Sequence, residues 1–372
     1  MADMLKALFI NSSSKKCSIY QSGKMIFDCL RQSKKVSFDY IEIDSDNRFI
    51  PVGYDFYLFN YHYATMGWLD LKELKRHFSY IMTIVLEVLP NNPFPLVDDK
   101  AFDAYLAIDP TMESDNPKVF AFPRPLEKTL DIDLSEESET PIIGSFGMPT
   151  PGKGFDLIIK AINKEFDKAI FRLNLSKADF VPNYEEIIQY YTDLCRQTAK
   201  SGIEVQVTSD FMTKEELIKW CASNTINCFF YDRNQPGLSA TTDQAITSGR
   251  PLLISDNPTF RHIHKYIKPY PEWSIKEAIV KTPSIIKQIQ KDWSQEAFAA
   301  TFDDMISKLE NDIKNAHAKI ELKKKVNVEP KLCQYAFYLF NLIPFIKVKF
   351  FDKKKSIELF GIPFLTIKIK KK

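Results

Sequence analysis

The feature that most constrains this chain of 372 residues is the alternation of short apolar runs with helical or polar stretches, in two successive series. The first series has apolar runs at Leu5–Ile10, Val36–Ile43, Asp55–Tyr61, Ile81–Leu89, Ala104–Ile108 and Val119–Phe122. The second begins at Pro141, with runs at Ile142–Phe146, Ala169–Leu175, Glu204–Thr208, Thr225–Tyr231 and Pro251–Ser255. Strands that alternate with helices form parallel sheets with helices on their faces. The pattern therefore predicts an α/β protein with two such sheets.

The two series set the predicted domains. Residues 126–140, LEKTLDIDLSEESET, are polar and acidic and lack periodicity, so we interpret them as a linker. We expect a Rossmann-like domain at residues 1–128, a second Rossmann-like domain at 129–330 and a tail at 331–372. Helical patterns in the second domain lie at 156–163, 184–200, 213–223 and 241–248, and 274–325 is almost wholly helical in pattern. Ligands of such sheets bind at the carboxyl ends of the strands, so the two domains should face each other across a cleft.

The tail is strongly basic, whereas the body is mildly acidic. Residues 331–372 contain ten Lys and two acids, a net charge of +8, and the whole chain carries +2, which leaves −6 for residues 1–330. Two similar segments, LFNLIPFIKVK and LFGIPFLTIKIK, each lead through Pro into an alternation of apolar residues with Lys. This period of two favours a hairpin with an apolar face that enters a membrane interface while Lys meets anionic lipid. The alternative is a tail packed on the body with its Lys in water.

Composition argues against several other classes. The six Cys form no CxxC pair and no His stands at ligand spacing from them, so we expect neither a metal site nor a disulfide framework. No motif of a nucleic-acid-binding fold occurs, and no cofactor is expected. There is no signal-peptide pattern and no run of the ~18 apolar residues that span a bilayer. We therefore expect a cytoplasmic protein, peripheral at the inner face of the cell membrane.

The stretch IIGSFGMPTPGKGFDLIIKA at 142–161 carries the first candidate site. A strand leads through a Gly-containing loop into Lys153 and an amphipathic helix. Gly144 and Gly147 would let the backbone approach an anion, the helix start offers free N–H groups, and Lys153 adds a positive charge. These features predict a diphosphate site. The alternative is an ordinary strand-to-helix turn with a surface Lys.

This stretch resembles the start of the C-terminal domain in GT-B glycosyltransferases, near the family 4-like group. In that group an Arg early in the loop and the Lys hold the donor diphosphate. Lys153 matches the Lys, whereas Ser145 and Phe146 stand where the Arg is expected. The resemblance implies that 129–330 binds a nucleotide-sugar donor and 1–128 binds the acceptor, by a metal-independent mechanism.

The segment 227–264, NCFFYDRNQPGLSATTDQAITSGRPLLIS followed by FRHIH at 260–264, resembles the donor-binding segment of the same group. The resemblance implies that a helix from Thr241 to Ser248 points its N-terminus at the diphosphate. The residues it nominates for donor binding are Arg233, Gly237, Ser239, Thr241, Thr242, Asp243, Gln244 and Arg261, with Asp232 as a further polar contact.

The chain departs from the family pattern of two Glu eight residues apart. Pro236 holds the first position and Gln244 holds the second. Asp243 is the expected substitute for the ribose-binding carboxylate, the alternative being an acid that only complements the helix dipole. Arg261 is expected to pair with phosphate or a sugar carboxylate, the alternative being a residue of a surface helix.

In the first domain, the cluster NYHY at 60–63 follows a strand pattern. His62 is the candidate catalytic base, the alternatives being a hydrogen bond to a sugar hydroxyl and a structural His. Residues 11–23 read as a polar loop. The resemblance places Ser12–Gly23 at the family's first acceptor and phosphate loop, which makes Lys15, Lys16 and Gly23 candidates for these contacts.

The combined expectation is a glycosyltransferase of bacterial surface-polysaccharide type, which moves a sugar to a glycan or lipid-linked acceptor of capsule or lipopolysaccharide. A non-catalytic binding or scaffold subunit with a GT-B-like fold is the main alternative, favoured by Pro236 and Gln244. A nucleotide-sugar epimerase is a further alternative, although a lipid-seeking tail has no evident use in one.

Overall fold

A computed structural model describes residues 4–15, 17–134, 138–176, 183–233, 237–326, 333–339, 343–351, 354–359 and 362–368. It divides into two compact units, Met1–Lys314 and Asn315–Lys372. Both predicted sheets belong to the first unit, so the predicted domain boundary at residue 128 stays a prediction. No helix in the part of the chain described is both long and apolar enough to cross a bilayer.

The first sheet is wholly parallel, with the strand order β2-β1-β3-β4-β5-β6. Its strands are β1 (Leu5–Ser12), β2 (Val36–Ile43), β3 (Phe56–Phe59), β4 (Ile81–Val85), β5 (Ala104–Ala107) and β6 (Val119–Ala121). The helices between them are α1 (Ser18–Leu30), α2 (Tyr63–Met66) and α3 (Leu71–His77). The inner strands β3, β4 and β5 are buried at every position, as expected for strands covered on both faces.

The second sheet is also wholly parallel, with the order β11-β10-β7-β8-β9. Its strands are β7 (Ile142–Phe146), β8 (Ala169–Asn174), β9 (Ile203–Thr208), β10 (Ile226–Phe229) and β11 (Leu252–Ile254). Its helices are α4 (Phe155–Glu165), α5 (Tyr184–Thr198), α6 (Lys214–Ala222), α7 (Thr241–Thr247), α8 (Arg261–His264) and α9 (Ile275–Asp292). Buried clusters lie on both of its faces, so this sheet has helices on either side.

Sequence signals explain where several helices begin. Thr213 caps α6 and Ser274 caps α9, each through a capping box with the acid three residues later. The helix α10 (Gln295–Val326) follows α9, and its residues Phe298 and Asp303 contact the first sheet region, at Phe122 and Ser33 respectively. The long helical stretch that the sequence assigned to the second domain thus packs in part against the first.

The predicted polar loop at 11–23 is shorter than expected. Helix α1 begins at Ser18, so Gly23 lies inside a helix, where a Cβ would overlap the Asn60 side chain. Gly23 is therefore needed for close helix-to-sheet packing, which corrects its assignment to a ligand loop. Lys15 is exposed, and Lys16 lies outside the described residues.

The second unit contains a four-stranded antiparallel meander rather than a single hairpin. Its strands are β12 (Cys333–Leu339), β13 (Ile343–Phe351), β14 (Lys354–Leu359) and β15 (Ile362–Lys368). Each of the two repeated sequence segments begins at the last residue of one strand, Leu339 or Leu359, and continues into the strand that follows. The repeat therefore corresponds to two successive hairpins.

Gly154 offers a test of the connection between β7 and α4. It has φ +64°, and a Cβ there would overlap the carbonyl oxygen of Phe230. At Gly53 (φ +104°) a Cβ would meet nothing within 4 Å, and the strained conformation alone costs about 1–3 kcal/mol. We expect Gly154→Ala to lower the free energy of unfolding, measured in urea, by about 2 kcal/mol or more beyond Gly53→Ala, because the backbone must move. Equal losses would show that this overlap is relieved without cost.

Candidate functional site

The loop between β7 and α4 brings a buried cation next to α7. Gly147 has φ +140°, and a Cβ there would lie 3.3 Å from Lys153 Nζ and 3.7 Å from Thr241 Cγ2. Any larger residue would occupy the space between these two side chains. The absence of a side chain at Gly147 therefore lets Lys153 and Thr241 approach each other.

Lys153 is buried without a carboxylate partner. Lys153 is only 5% exposed, and its Nζ donates a hydrogen bond of 2.7 Å to Tyr231 Oη. Burial lowers the pKa of Lys153, Arg233 lowers this pKa further, and Tyr231 opposes both. Among the described residues, no carboxylate lies within ion-pair distance of Nζ. A buried ammonium with a neutral partner retains its attraction for an anion.

Tyr231 joins the surrounding polar groups. Its hydroxyl lies 3.0 Å from Thr241 Oγ1 and 3.5 Å from Ser239 Oγ, and these two oxygens are 2.8 Å apart. The Arg233 guanidinium carbon is 4.9 Å from the centre of the Tyr231 ring, and Lys153 Nζ is 4.3 Å from it. Burial acts to raise the pKa of Tyr231, but Lys153 and the hydrogen bonds leave it lower than usual. Lys153, Tyr231, Arg233, Ser239 and Thr241 are called the Lys153 cluster below.

The Lys153 cluster suits an anion with several oxygens. It places two cations on one aromatic ring, where cation–π attraction offsets part of the cost of burial. The adjacent helix α4 starts at Phe155 and offers N–H groups at the positive end of its dipole. Arg233 Nε is buried without a hydrogen-bond partner. The site thus has unused donors and net positive charge.

Asp243 does not belong to this group. Its carboxylate accepts bonds of 3.1 Å from Arg124 Nε to each oxygen and 2.6 Å from Arg124 Nη2 to Oδ2. Both residues are buried. The structure therefore corrects the expectation that Asp243 binds ribose, because Arg124 already occupies its carboxylate.

Arg261 is also occupied. Its Nε donates a 2.7 Å bond to Asp109 Oδ2, Nη2 donates a 3.0 Å bond to the Val88 carbonyl and Nη1 donates to Pro258. Asp109 and Val88 follow β5 and β4 of the first sheet. This corrects the expectation that Arg261 pairs with phosphate: it joins the two sheets of the unit.

His62 lies at the same junction but has the wrong tautomer for a base. Its Nδ1 accepts a 3.1 Å bond from the Ala64 N–H and so caps α2. In the neutral ring the proton is then on Nε2, which lies 3.5 Å from Glu87 Oε2. An Nε2 that carries its proton cannot accept another. The predicted role of His62 as catalytic base is therefore not supported by this geometry.

The remaining predicted residues divide between the junction and the interior. The Gly237 N–H donates a 2.9 Å bond to Val88 O, so Gly237 lies at the junction. Gln244 is half-buried on α7, and Thr242 is buried and donates to Ser239 O. The structure corrects the expectation that Gly144 lets the backbone approach an anion. Gly144 lies inside β7, where a Cβ would overlap the Asn224 side chain, so packing explains the glycine. Exposed Asp232 follows β10, and Pro236 lies outside the described residues.

Sequence reasoning did not single out Tyr231, Arg124, Asp109 or Glu87. Tyr231, at the carboxyl end of a strand pattern beside Asp232 and Arg233, could have been found by its position. Arg124 and Asp109 carry no local signal, because their partners are 119 and 152 residues away in the chain.

A separate open cavity of about 730 Å³ lies beside the linker. Its lining mixes both signs of charge, with Asp28, Glu127, Glu215 and Glu296 against Arg31, Lys128 and Lys214. It therefore lacks the excess positive charge that distinguishes the Lys153 cluster.

The pairing of Asp243 with Arg124 is open to test. Asp243→Asn leaves a buried guanidinium without its counter-charge, and we expect the free energy of unfolding in urea to fall by about 3–5 kcal/mol. Glu215→Gln, which breaks the exposed pair with Lys219, should cost at most about 0.5 kcal/mol. The double change Arg124→Met, Asp243→Leu should recover much of the loss. A loss in Asp243→Asn as small as that in Glu215→Gln would contradict a buried pair.

Comparison with known proteins places the fold. No protein-family model matches this chain, and no curated protein matches its sequence. Among solved structures, AviGT4, a glycosyltransferase involved in avilamycin A biosynthesis, is 13% identical with a TM-score of 0.52, covering 82% of this chain and 98% of its own. The trehalose-6-phosphate phosphatase N-terminal domain of Candida albicans is 10% identical with a TM-score of 0.52, at 82% and 98% coverage. Anabaena HepE in complex with UDP-glucose is 12% identical with a TM-score of 0.49, covering 83% of this chain and 100% of its own.

At these identities the likeness shows the fold alone. The predicted α/β class with two parallel sheets is confirmed, and it is the fold of proteins that include GT-B-type glycosyltransferases.

Proposed function

We propose that this chain is a glycosyltransferase that moves a sugar from a nucleotide-sugar donor to an acceptor held in the first sheet's half of the junction. The Lys153 cluster carries the proposal, because it is a buried, positively charged site without a carboxylate partner among the described residues. The donor diphosphate supplies the missing negative charge. AviGT4, with the same fold, is a glycosyltransferase, which fits this assignment.

The cluster would act on the leaving group. As the bond from the sugar to the diphosphate breaks, negative charge grows on the phosphate oxygen. Lys153, Arg233 and the N–H groups at the start of α4 stabilise that charge from fixed positions. Because these donors are already oriented, little reorganisation is needed during the reaction.

Phe211 offers a platform for the nucleobase. It is 83% exposed and follows β9, while Gly147 follows β7. The Gly147 N–H donates to Asn174 O, and Asn174 in turn bonds the Asp210 backbone, so one hydrogen-bonded chain links the two loops. Strands β7 and β9 are two positions apart, about 10 Å, which suits the separation of a diphosphate and its base. The exposed ring can stack on a base.

A non-catalytic, nucleotide-binding scaffold is the second candidate. Gln244 stands where the resemblance expects Glu, and Asp243 is held by Arg124, so no carboxylate of α7 is free for the donor. Such a protein would bind a nucleotide sugar but release no nucleotide from it.

The acceptor proposed is a glycan or lipid-linked glycan at an anionic membrane surface, as in synthesis of bacterial capsule or lipopolysaccharide. Register partners share a face of the sheet. The pairing in the second unit therefore assigns Lys347, Lys349, Lys354 and Lys368 to positions on one face, together with Glu358, Phe351, Ser356 and Thr366. The positions of the other face include Ile346, Val348, Phe350, Ile357, Leu365 and Ile367, and also Lys355. A mainly apolar face opposite a mainly cationic one supports peripheral binding to the inner face of the membrane.

Donor binding is tested with a panel of nucleoside diphosphates and their sugars. A ligand at 100 times its dissociation constant stabilises a protein by about 2.7 kcal/mol, which a thermal shift detects. Lys153→Met removes a charge-assisted hydrogen bond worth about 1.5–3 kcal/mol and should weaken binding roughly 10- to 100-fold. Phe211→Ala should weaken the binding of nucleotides but leave the binding of inorganic diphosphate unchanged.

The matched control is Lys160→Met, which changes an exposed Lys on α4 that pairs with Asp156. Its affinity should equal that of the wild type. The donor site is not at the Lys153 cluster if no nucleotide raises the melting temperature of the folded wild type, or if Lys153→Met binds nucleotide as tightly as the wild type does.

Membrane association is tested by co-sedimentation with vesicles of neutral lipid, with and without 30 mol% (roughly physiological) anionic lipid. Changing Lys347, Lys349 and Lys368 together to Gln should weaken binding to anionic vesicles roughly 100-fold, at about 1 kcal/mol per charge. The control changes three exposed Lys of the body, Lys160, Lys219 and Lys281, and should bind as the wild type does. Equal binding to neutral and anionic vesicles would contradict the electrostatic part of the proposal.

A further inference from the structure

Glu87 lies where the two halves of the first unit meet. It follows β4, at the carboxyl edge of the first sheet, and its side chain is 45% exposed. Across the junction, a Cβ at Gly237 would lie 3.5 Å from Glu87 Cα and 3.6 Å from Glu87 Cγ. Glu87 therefore stands beside the segment that leads into the Lys153 cluster.

Two hydrogen bonds fix this position. The carbonyl of Val88 accepts one from the Gly237 N–H (2.9 Å) and one from Arg261 Nη2 (3.0 Å). Val88 is fully buried, so both bonds are shielded from water. The backbone next to Glu87 is thus held to the second sheet's half of the molecule, while its carboxylate stays accessible.

Glu87 differs from the other two carboxylates described at this junction. Asp109 is paired with Arg261 and Asp243 with Arg124, and both acids are buried. Glu87 faces His62, whose Nε2 lies 3.5 Å from Oε2. Because the His62 Nδ1 accepts from Ala64, the Nε2 proton is directed at Glu87. One carboxylate oxygen is oriented by this N–H and the other remains available.

A short segment connects Glu87 to the Lys153 cluster. Gly237 lies beside Glu87, and two residues further on Ser239 Oγ lies 3.5 Å from Tyr231 Oη, which is the hydrogen-bond partner of Lys153 Nζ. A sugar transfer needs a base beside the acceptor hydroxyl and a cation beside the leaving phosphate, and Glu87 and Lys153 adjoin opposite ends of this segment.

We propose that Glu87 is the general base that takes the proton of the acceptor hydroxyl, and that His62 is a positioning residue that orients Glu87; this rests on the proposed function. The hydroxyl proton moves to Glu87, and the acceptor oxygen forms a bond to the anomeric carbon. The bond from that carbon to the diphosphate breaks, and its electron pair stays on the diphosphate beside Lys153. A single displacement of this kind inverts the anomeric configuration.

The test uses water as the acceptor, with the full chain and whichever UDP-, GDP-, ADP- or dTDP-sugar binds in the thermal-shift panel. Release of nucleoside diphosphate is followed with time, and proton NMR reads the anomer of the freed sugar at early times. Glu87→Gln should reduce release 10²- to 10⁴-fold, the usual range for a lost general base, with donor affinity unchanged. Glu113→Gln, an exposed acid in the same half, should release nucleotide as the wild type does.

The His62 variants separate positioning from folding. His62→Asn keeps an acceptor that caps α2 but cannot reach Glu87, and should lower release roughly tenfold at unchanged thermal stability. His62→Gln places an amide N–H closer to the position of the His62 Nε2 than Asn does, and should restore most of the rate of nucleotide release.

Each outcome bears on the proposal. Inverted product with loss of release in Glu87→Gln supports it. Unchanged release in a folded Glu87→Gln variant, or a product of retained configuration, overturns the base assignment and leaves the glycosyltransferase in place. A wild type that binds no nucleotide sugar, or binds one without releasing nucleotide, overturns both the base and the proposed transfer.

Discussion

Two buried arginine–carboxylate pairs, Arg124–Asp243 and Arg261–Asp109, determine how the two sheets of the first unit meet. Each joins the first-sheet region to the second. A guanidinium or carboxylate buried alone is costly, so both ions of a pair must keep their partner. Hydrophobic contact alone would allow the halves to slide, whereas bidentate and forked hydrogen bonds fix direction as well as distance. The arrangement of the junction therefore depends on four charged side chains.

The same pairs decide which charges remain for a ligand. Asp109 and Asp243 are neutralised inside the protein, and with them Arg261 and Arg124. Lys153 and Arg233 share the Tyr231 ring without a carboxylate among the described residues. His262, stacked on Trp293 beside this junction, is buried, and burial with the nearby Arg124 and Arg261 lowers its pKa well below the usual value. It adds no charge at neutral pH, so the excess positive charge is concentrated at the Lys153 cluster.

Local pattern predicted the strands well: the edge strand Val36–Ile43 and the inner strand Ile142–Phe146 both have the predicted bounds. Turn chemistry also located Lys153 and Gly147. The errors have one physical cause, namely contacts between distant parts of the chain. Gly23 and Gly144 are glycines because Asn60 and Asn224 pack against them, not because a ligand does. Asp243 and Arg261 have the right residue types for a ligand site, but a sequence does not show that a protein side chain already neutralises them.

The departure from two Glu changes what the proposed donor site can recognise. Gln244 is half-buried on α7 and its amide can both donate and accept, so it can bond a sugar hydroxyl without adding charge. With Asp243 held by Arg124, the ribose loses an ionic partner, and the diphosphate becomes the main source of donor affinity. A neutral amide also places no negative charge near the anomeric centre, where positive charge develops in the transition state. Glu87 is the carboxylate described at the junction that no arginine has neutralised, so it stays available to accept a proton from the acceptor.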